Sequence, residues 1–231
     1  VGDGTVLIGS SAGADITSGE ANMAIGYKAM GVHTTGSRNI AIGYNAMDDT
    51  DHHADTLASI DNIFIGHDSG GGTWATNNCD YNVAIGNYTL DAAMNGAEAN
   101  IAIGHQALTN VTTGDNNCGI GKTALYANTV GNNNTAIGYQ AMYTNADGSS
   151  NTAVGARALW TFEANTTHDG YNTALGNDAG YAVSTGQKNT LIGYDAGDTI
   201  ATGDENTIIG SNCDVSTEDN TNNVIIGNSL T

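Results

Sequence analysis

The stretch Asn134-Thr135-Ala136-Ile137-Gly138-Tyr139-Gln140-Ala141-Met142 returns seventeen residues later as Asn151-Thr152-Ala153-Val154-Gly155-Ala156-Arg157-Ala158-Leu159. Working outward from Gly138 in both directions, the same register recurs at Gly9, Gly26, Gly43, Gly66, Gly86, Gly104, Gly121, Gly155, Gly176, Gly193, Gly210 and Gly227. Eight of the twelve gaps between these glycines are 17 residues, so 17 is the unit. The others, of 23, 20, 18 and 21, carry insertions that fall within 48–61, 71–81, 91–99 and 160–171. A fixed period of this size marks a solenoid or array in which each repeat cannot bury its apolar face alone. Gly and Asn are too frequent for helices, and no 3.6-residue apolar period runs through the chain.

The columns of the repeat read as a short strand and a corner. Ahead of the motif glycine runs an aliphatic ladder, Ile25, Ile42, Ile65, Ile85, Ile103, Ile120, Ile137, Val154, Leu175, Ile192 and Ile209. Its chemistry predicts a buried row, with Ile137 enclosed between Ile120 and Val154. Residues two apart share a strand face, so the column with Met23, Ile40, Ile63, Cys118, Thr135 and Thr152 belongs on the same side, inward or at its lip. The Ala column between them (Ala24, Ala41, Ala136, Ala153) then faces out, as a smooth surface for close packing of another copy. Four residues before the glycine stands Asn, as in Asn134, in every rung but the first, which has Thr5. Stacked Asn side chains can bond the rungs above and below. Gly138 and its equivalents supply a turn conformation closed to other residues.

A second short segment follows, with Met30, Met47, Leu90, Leu108, Leu125, Met142 and Leu159 closing the core from the other side. Glycines seven before the next motif glycine (Gly19, Gly36, Gly131, Gly148) mark a second corner. Each rung therefore reads as two strands and two turns, and the absence of Pro agrees with strands that cannot spare an N–H. The expectation is an all-β parallel solenoid over 1–231 as a single repeat domain, with thirteen rungs at ~4.8 Å giving a rod of ~60 Å.

Composition narrows the partners. Five Lys and Arg stand against 24 Asp and Glu, a net charge of −19. That balance argues against nucleic acid, whose phosphates need cations, and against anionic membrane surfaces. No apolar run approaches a membrane span. Cys79, Cys118 and Cys213 fall in different columns, with no stacked pair and no metal-type spacing. The start at Val1, without an initiator Met, suggests a processed chain or a fragment.

The Asn-Thr-Ala-Ile-Gly-Tyr-x-Ala-Leu pattern, carried best by 134–142, 151–159 and 189–197, resembles the repeats of phage tail-fibre and related surface-fibre proteins. It is also similar to the Ala-Ile-Gly head repeats of trimeric autotransporter adhesins. The resemblance implies a left-handed β-roll, a homotrimer around a common axis, and a longer chain in life with an anchor. It implies an extracellular setting on a virion or cell surface.

Three groups of residues are candidates for chemistry or contact. His67 and His105 take the place of Tyr27, Tyr44, Tyr139 and Tyr194 after the motif glycine and read as solvent-side ladder positions. Asp48, Asp49, Asp51, His52, His53 and Asp55 form a dense cluster that could take Ca²⁺ or a transition metal; its other reading is a solvated acidic loop. Trp74, Trp160 and Phe162 lie in insertions, where aromatics contact sugars or proteins or anchor the loop to the rod. No nucleophile–base constellation, phosphate loop or paired-carboxylate site stands out, so no enzyme is expected and no cofactor beyond that Ca²⁺.

Three functions remain open at this point. One is a structural and adhesive fibre segment that presents its insertions to a glycan or protein receptor. A second is an ice-binding solenoid, suggested by the stacked Thr135, Thr152, Thr173, Thr190 and Thr207. The third is a mechanical spacer.

Overall fold

The computed structural model describes residues 2–50, 58–163 and 169–229. The chain divides into two compact units, Val1–Asn116 and Asn117–Thr231. Unit 1 holds β1 (Val6–Ile8), β2 (Met23–Ile25), β3 (Ile40–Ile42), β4 (Ile63–Ile65), β5 (Val83–Ile85) and β6 (Ile101–Ile103). Each pairs in parallel with the next, in register with the repeat, as in Ala24 opposite Ala41 and Phe64 opposite Ala84. Unit 2 holds β7 (Cys118–Ile120), β8 (Thr135–Ile137), β9 (Thr152–Val154), β10 (Thr173–Leu175), β11 (Thr190–Ile192), β12 (Thr207–Ile209) and β13 (Val224–Ile226). These pair in the same way. Each unit is a parallel β-solenoid, as the period predicts.

Among the described residues, one strand, not two, is present per rung. The expected second strand is instead a run of turns in which the residues two and four past the motif glycine adopt left-handed φ. Lys28 (φ 55°) and Met30 (φ 52°) are one such pair, Gln140 (φ 56°) and Met142 (φ 50°) another. The two conformations aim successive amides at opposite neighbours. Lys28 N–H donates back to Ser10 O at 3.0 Å, while Met30 N–H donates forward to Ala46 O at 2.9 Å. A left-handed non-glycine residue costs about 1–2 kcal/mol, and an inter-rung hydrogen bond at each such position offsets a comparable amount.

The face assignment of the strand is the reverse of the sequence expectation. Ala24, Ala41, Ala84, Ala102, Ala136, Ala153 and Ala174 are fully buried. The aliphatic ladder of Ile25, Ile42, Ile65, Ile85, Ile103, Ile120, Ile137, Val154, Leu175, Ile192 and Ile209 faces outward, half-buried to exposed, with Ile137 at 38% and Leu175 at 47%. The Asn column decides this. Asn134 and Ala136 are two residues apart and share a face, and the Asn side chains are buried. Ala fits between the inward Asn and the facing Met or Leu; the larger Phe64, Leu191 and Ile208 take the same inward place where the facing residue is Gly70, Gly197 or Asp214.

The Asn ladder holds the corner as expected. Asn134 N–H donates to Asn117 Oδ1 at 3.0 Å, and Asn134 Oδ1 accepts from Asn151 N–H at 3.0 Å. Asn134 Nδ2 reaches Gly148 O at 2.7 Å, tying the first corner to the glycine corner of the next rung. Gly138 has φ +138°, and a Cβ there would lie 2.4 Å from Gly155 O.

The core is narrow, and its volume is shared across the rung. Where the strand offers Ala, the turn segment offers Met30, Met47, Leu90, Leu108, Met142 or Leu159, all fully buried; the exception is Ala174, whose rung has Gly180 with Leu191 of the next rung against it. Where the strand offers Phe64 or Leu191, the turn segment of that rung has Gly70 or Gly197. Close packing at constant total volume explains both arrangements.

Candidate functional surface

The outward sheet faces follow from the same alternation. In unit 1 the two outward columns are Val6, Met23, Ile40, Ile63, Val83 and Ile101 beside Ile8, Ile25, Ile42, Ile65, Ile85 and Ile103. In unit 2 they are Cys118, Thr135, Thr152, Thr173, Thr190, Thr207 and Val224 beside the second aliphatic row. The Thr column therefore points out, not inward or at a lip. No charged residue stands in either column, although the chain carries −19. These rows of half-buried to exposed aliphatic side chains are a candidate interaction surface.

Two aromatic ladders lie elsewhere. In unit 1, Tyr27 stacks on Tyr44 (5.1 Å), Tyr44 on His67 (5.0 Å), His67 meets Tyr88 (5.3 Å) and Tyr88 meets His105 (5.9 Å). His67 Nδ1 also lies 2.8 Å from the Asp68 carboxylate. The histidines are thus members of the solvent-side column. In unit 2, Tyr126, Tyr143, Trp160 and Tyr181 stack at 5.2, 5.8 and 5.3 Å with rings within 7° of parallel. Sequence reasoning singled out Trp160 and missed its companions. The signal was present, since 126, 143 and 160 are 17 apart and 181 follows after the 21-residue gap.

The insertion aromatics do not form a contact patch. Trp74 and Phe162 are fully buried, which corrects the reading of them as exposed receptor contacts. Trp74 packs on Phe64 at 5.7 Å, and its amide donates to Asp49 O at 3.0 Å. Phe162 stands seven residues after Gly155, in the core position that Val111, Val183 and Ile200 take in their rungs. Trp160 is half-buried, its faces covered by Tyr143 and Tyr181.

Of the acidic cluster, Asp51, His52, His53 and Asp55 lie outside the described residues. Asp48 is 3.7 Å from Lys28 Nζ, and burial pushes its carboxyl up from the ordinary range. Asp49 accepts from Thr73 Oγ1 at 2.5 Å. Both fasten the insertion to neighbouring rungs. Among the described residues, no three His, Cys, Asp or Glu side chains are placed to hold a metal ion.

Most of the few cations are also spent between rungs. Arg38 grips Asp61 through Nε and Nη2 at 2.7 and 2.8 Å, Arg157 meets Asp178 at 2.6 Å, and Lys188 meets Glu205 at 3.0 Å. Cys79 and Cys213 are buried and Cys118 half-buried, all three as free thiols.

In comparisons with known proteins, no family model, no curated sequence and no solved structure matches this chain.

Proposed function

We propose that the chain is a structural segment of an extracellular fibre, on a virion or cell surface, whose copies pack against one another through the outward sheet faces. The observation that carries this reading is the uncharged aliphatic surface on a chain of net charge −19. Like-charged chains repel within a Debye length, so copies can meet closely only where charge is absent. A partner that touches row after row without strain must also share the axial repeat of the sheet, and a second copy does. Two outward columns and two neighbours per copy suit a homotrimer, each column of one chain meeting the other column of the next. The resemblance to tail-fibre and adhesin-head repeats adds a left-handed β-roll to the proposal.

In this reading the insertions, not the sheet faces, are what a glycan or protein receptor meets, and three copies would multiply weak single contacts. With Trp74 and Phe162 in the core, the stretches to probe are 48–61 and 160–171. Sedimentation equilibrium of the whole chain at physiological salt tests the assembly. The expected mass is three times the 23.5 kDa chain; a single-chain mass across the concentration range counts against it.

A second reading is favoured by one observation, the outward direction of Thr135, Thr152, Thr173, Thr190 and Thr207 in unit 2. A regular array of hydroxyl and aliphatic groups on parallel strands can order water, as an ice-binding face does. A thermal-hysteresis measurement separates the two readings, since the fibre segment gives none.

A further inference from the structure

We infer that the two units contribute unequally to self-association: the outward face of unit 1 supplies the cohesive contact between copies, and the threonine column of unit 2 holds its own face to a weaker, hydrated contact. The inference rests on the proposed packing of copies through the sheet faces and specifies where that packing is strong.

The difference lies in one column. In β1–β6 the residue three before the motif glycine is Val, Met or Ile in every strand, so both outward columns are apolar. In β8–β12 the same position is Thr in every strand. Burying an aliphatic side chain releases water at no polar cost. A Thr hydroxyl loses its water on the same burial and must find a partner. Thr152 and Thr173 are exposed, and the adjoining Leu175 is 47% exposed, so the unit 2 surface is wet in the single chain. The occupant of the unit 1 face is a copy of this chain, because that face offers nothing to a charged ligand and repeats with the period of its own strands.

The substitutions that test this are native to the repeat, so each retains a backbone solution the fold already uses. In the whole chain, Met23→Thr, Ile40→Thr and Ile63→Thr together give unit 1 the column of unit 2. Thr135→Val, Thr152→Val and Thr173→Val together give unit 2 the column of unit 1, where Val6 and Val83 already stand. Circular dichroism establishes that each variant keeps its fold, and sedimentation equilibrium gives the association constant. The expected result is a loss on the order of 100-fold or more for the unit 1 variant. The unit 2 variant should associate at least as tightly as the wild type. An associating wild type with an equally associating unit 1 variant overturns the division between units and leaves the self-association reading intact. A wild type that is a single chain at every concentration overturns both.

Discussion

Phe64 occupies the space that a side chain at Gly70 would need: a Cβ built on Gly70 lies 2.5 Å from Phe64 Cδ1. Backbone conformation does not impose glycine there. Gly70 has φ +64°, and Met30 and Leu90 take up the same column at φ 52° and 46°. The constraint is volume. Phe64→Ala alone should cost about 3–5 kcal/mol through the cavity it leaves, and Gly70→Leu alone about 1–3 kcal/mol by overpacking. The double variant restores the Ala-with-Leu pairing of other rungs and should recover most of the loss. Denaturant unfolding of the four proteins reads the coupling, and additive losses would remove the shared-volume account.

Asn134 should behave as a rung fastener. Replacing it with Ala strips Asn151 N–H and Asn151 Nδ2 of their shared acceptor and removes one of two donors to Gly148 O, Asn145 Nδ2 remaining. Leaving buried groups unmade costs about 1–3 kcal/mol each. Because rungs lean mainly on their neighbours, hydrogen exchange should accelerate first at the amides of β8 and β9. Uniform acceleration through unit 2 would mean that the ladder acts cooperatively over many rungs.

Gly138→Ala should be among the most damaging single changes. The φ of +138° is open only to glycine, and the new Cβ would strike the Gly155 carbonyl. Strain alone contributes about 1–3 kcal/mol, and no second substitution can relieve a clash with backbone. An unfolding midpoint near that of the wild type would show that the corner can open.

Much of the architecture was legible in the recurrence itself. Period, corner glycines, Asn ladder and the Met/Leu side of the core all follow from spacing. Strand parity is where hydrophobicity and geometry point opposite ways: Ile137 looks buried and Ala136 looks like a surface residue. The inward Asn134, two positions from Ala136, carries the correct answer. The turn segment reads as a strand because left-handed φ at residues such as Lys28 and Gln140 leaves no compositional mark when Gly is not required. Trp74 and Phe162 sit in insertions, where contact and anchoring to the rod read alike from sequence. Phe162 could have been placed by counting seven residues from Gly155, as for Val183 and Ile200.

Acidity should stabilise the chain over part of its range. Burial first, then the nearby Asp68, pushes the Asp91 carboxyl up to about 6. Burial and the hydrogen bond that the neutral Asp198 carboxyl donates to Asp214 do the same to Asp198, also to about 6. A carboxyl raised above its unfolded value favours the neutral form in the fold, so its contribution is complete below about pH 4 and is lost as pH rises through 6. Thermal midpoints should therefore fall as pH rises from about 4 to about 6.5, and the fall should shrink in Asp91→Asn. Asp61, held low by Arg38, works in the opposite sense at more acid pH. An unchanged slope in Asp91→Asn would mean that its carboxyl is solvated.

The most direct test of the account compares Ala136→Asp with Ile137→Asp by the native mass of the folded fraction. Ala136 is fully buried and Ile137 lies on the outward face. Ala136→Asp places an unpaired charge in the core and should yield little folded protein. Ile137→Asp should fold with wild-type circular dichroism and shift toward a single-chain mass, since copies would then meet across repeated buried charges. Folded Ile137→Asp that retains the wild-type assembly mass would contradict the claim that copies pack through this face.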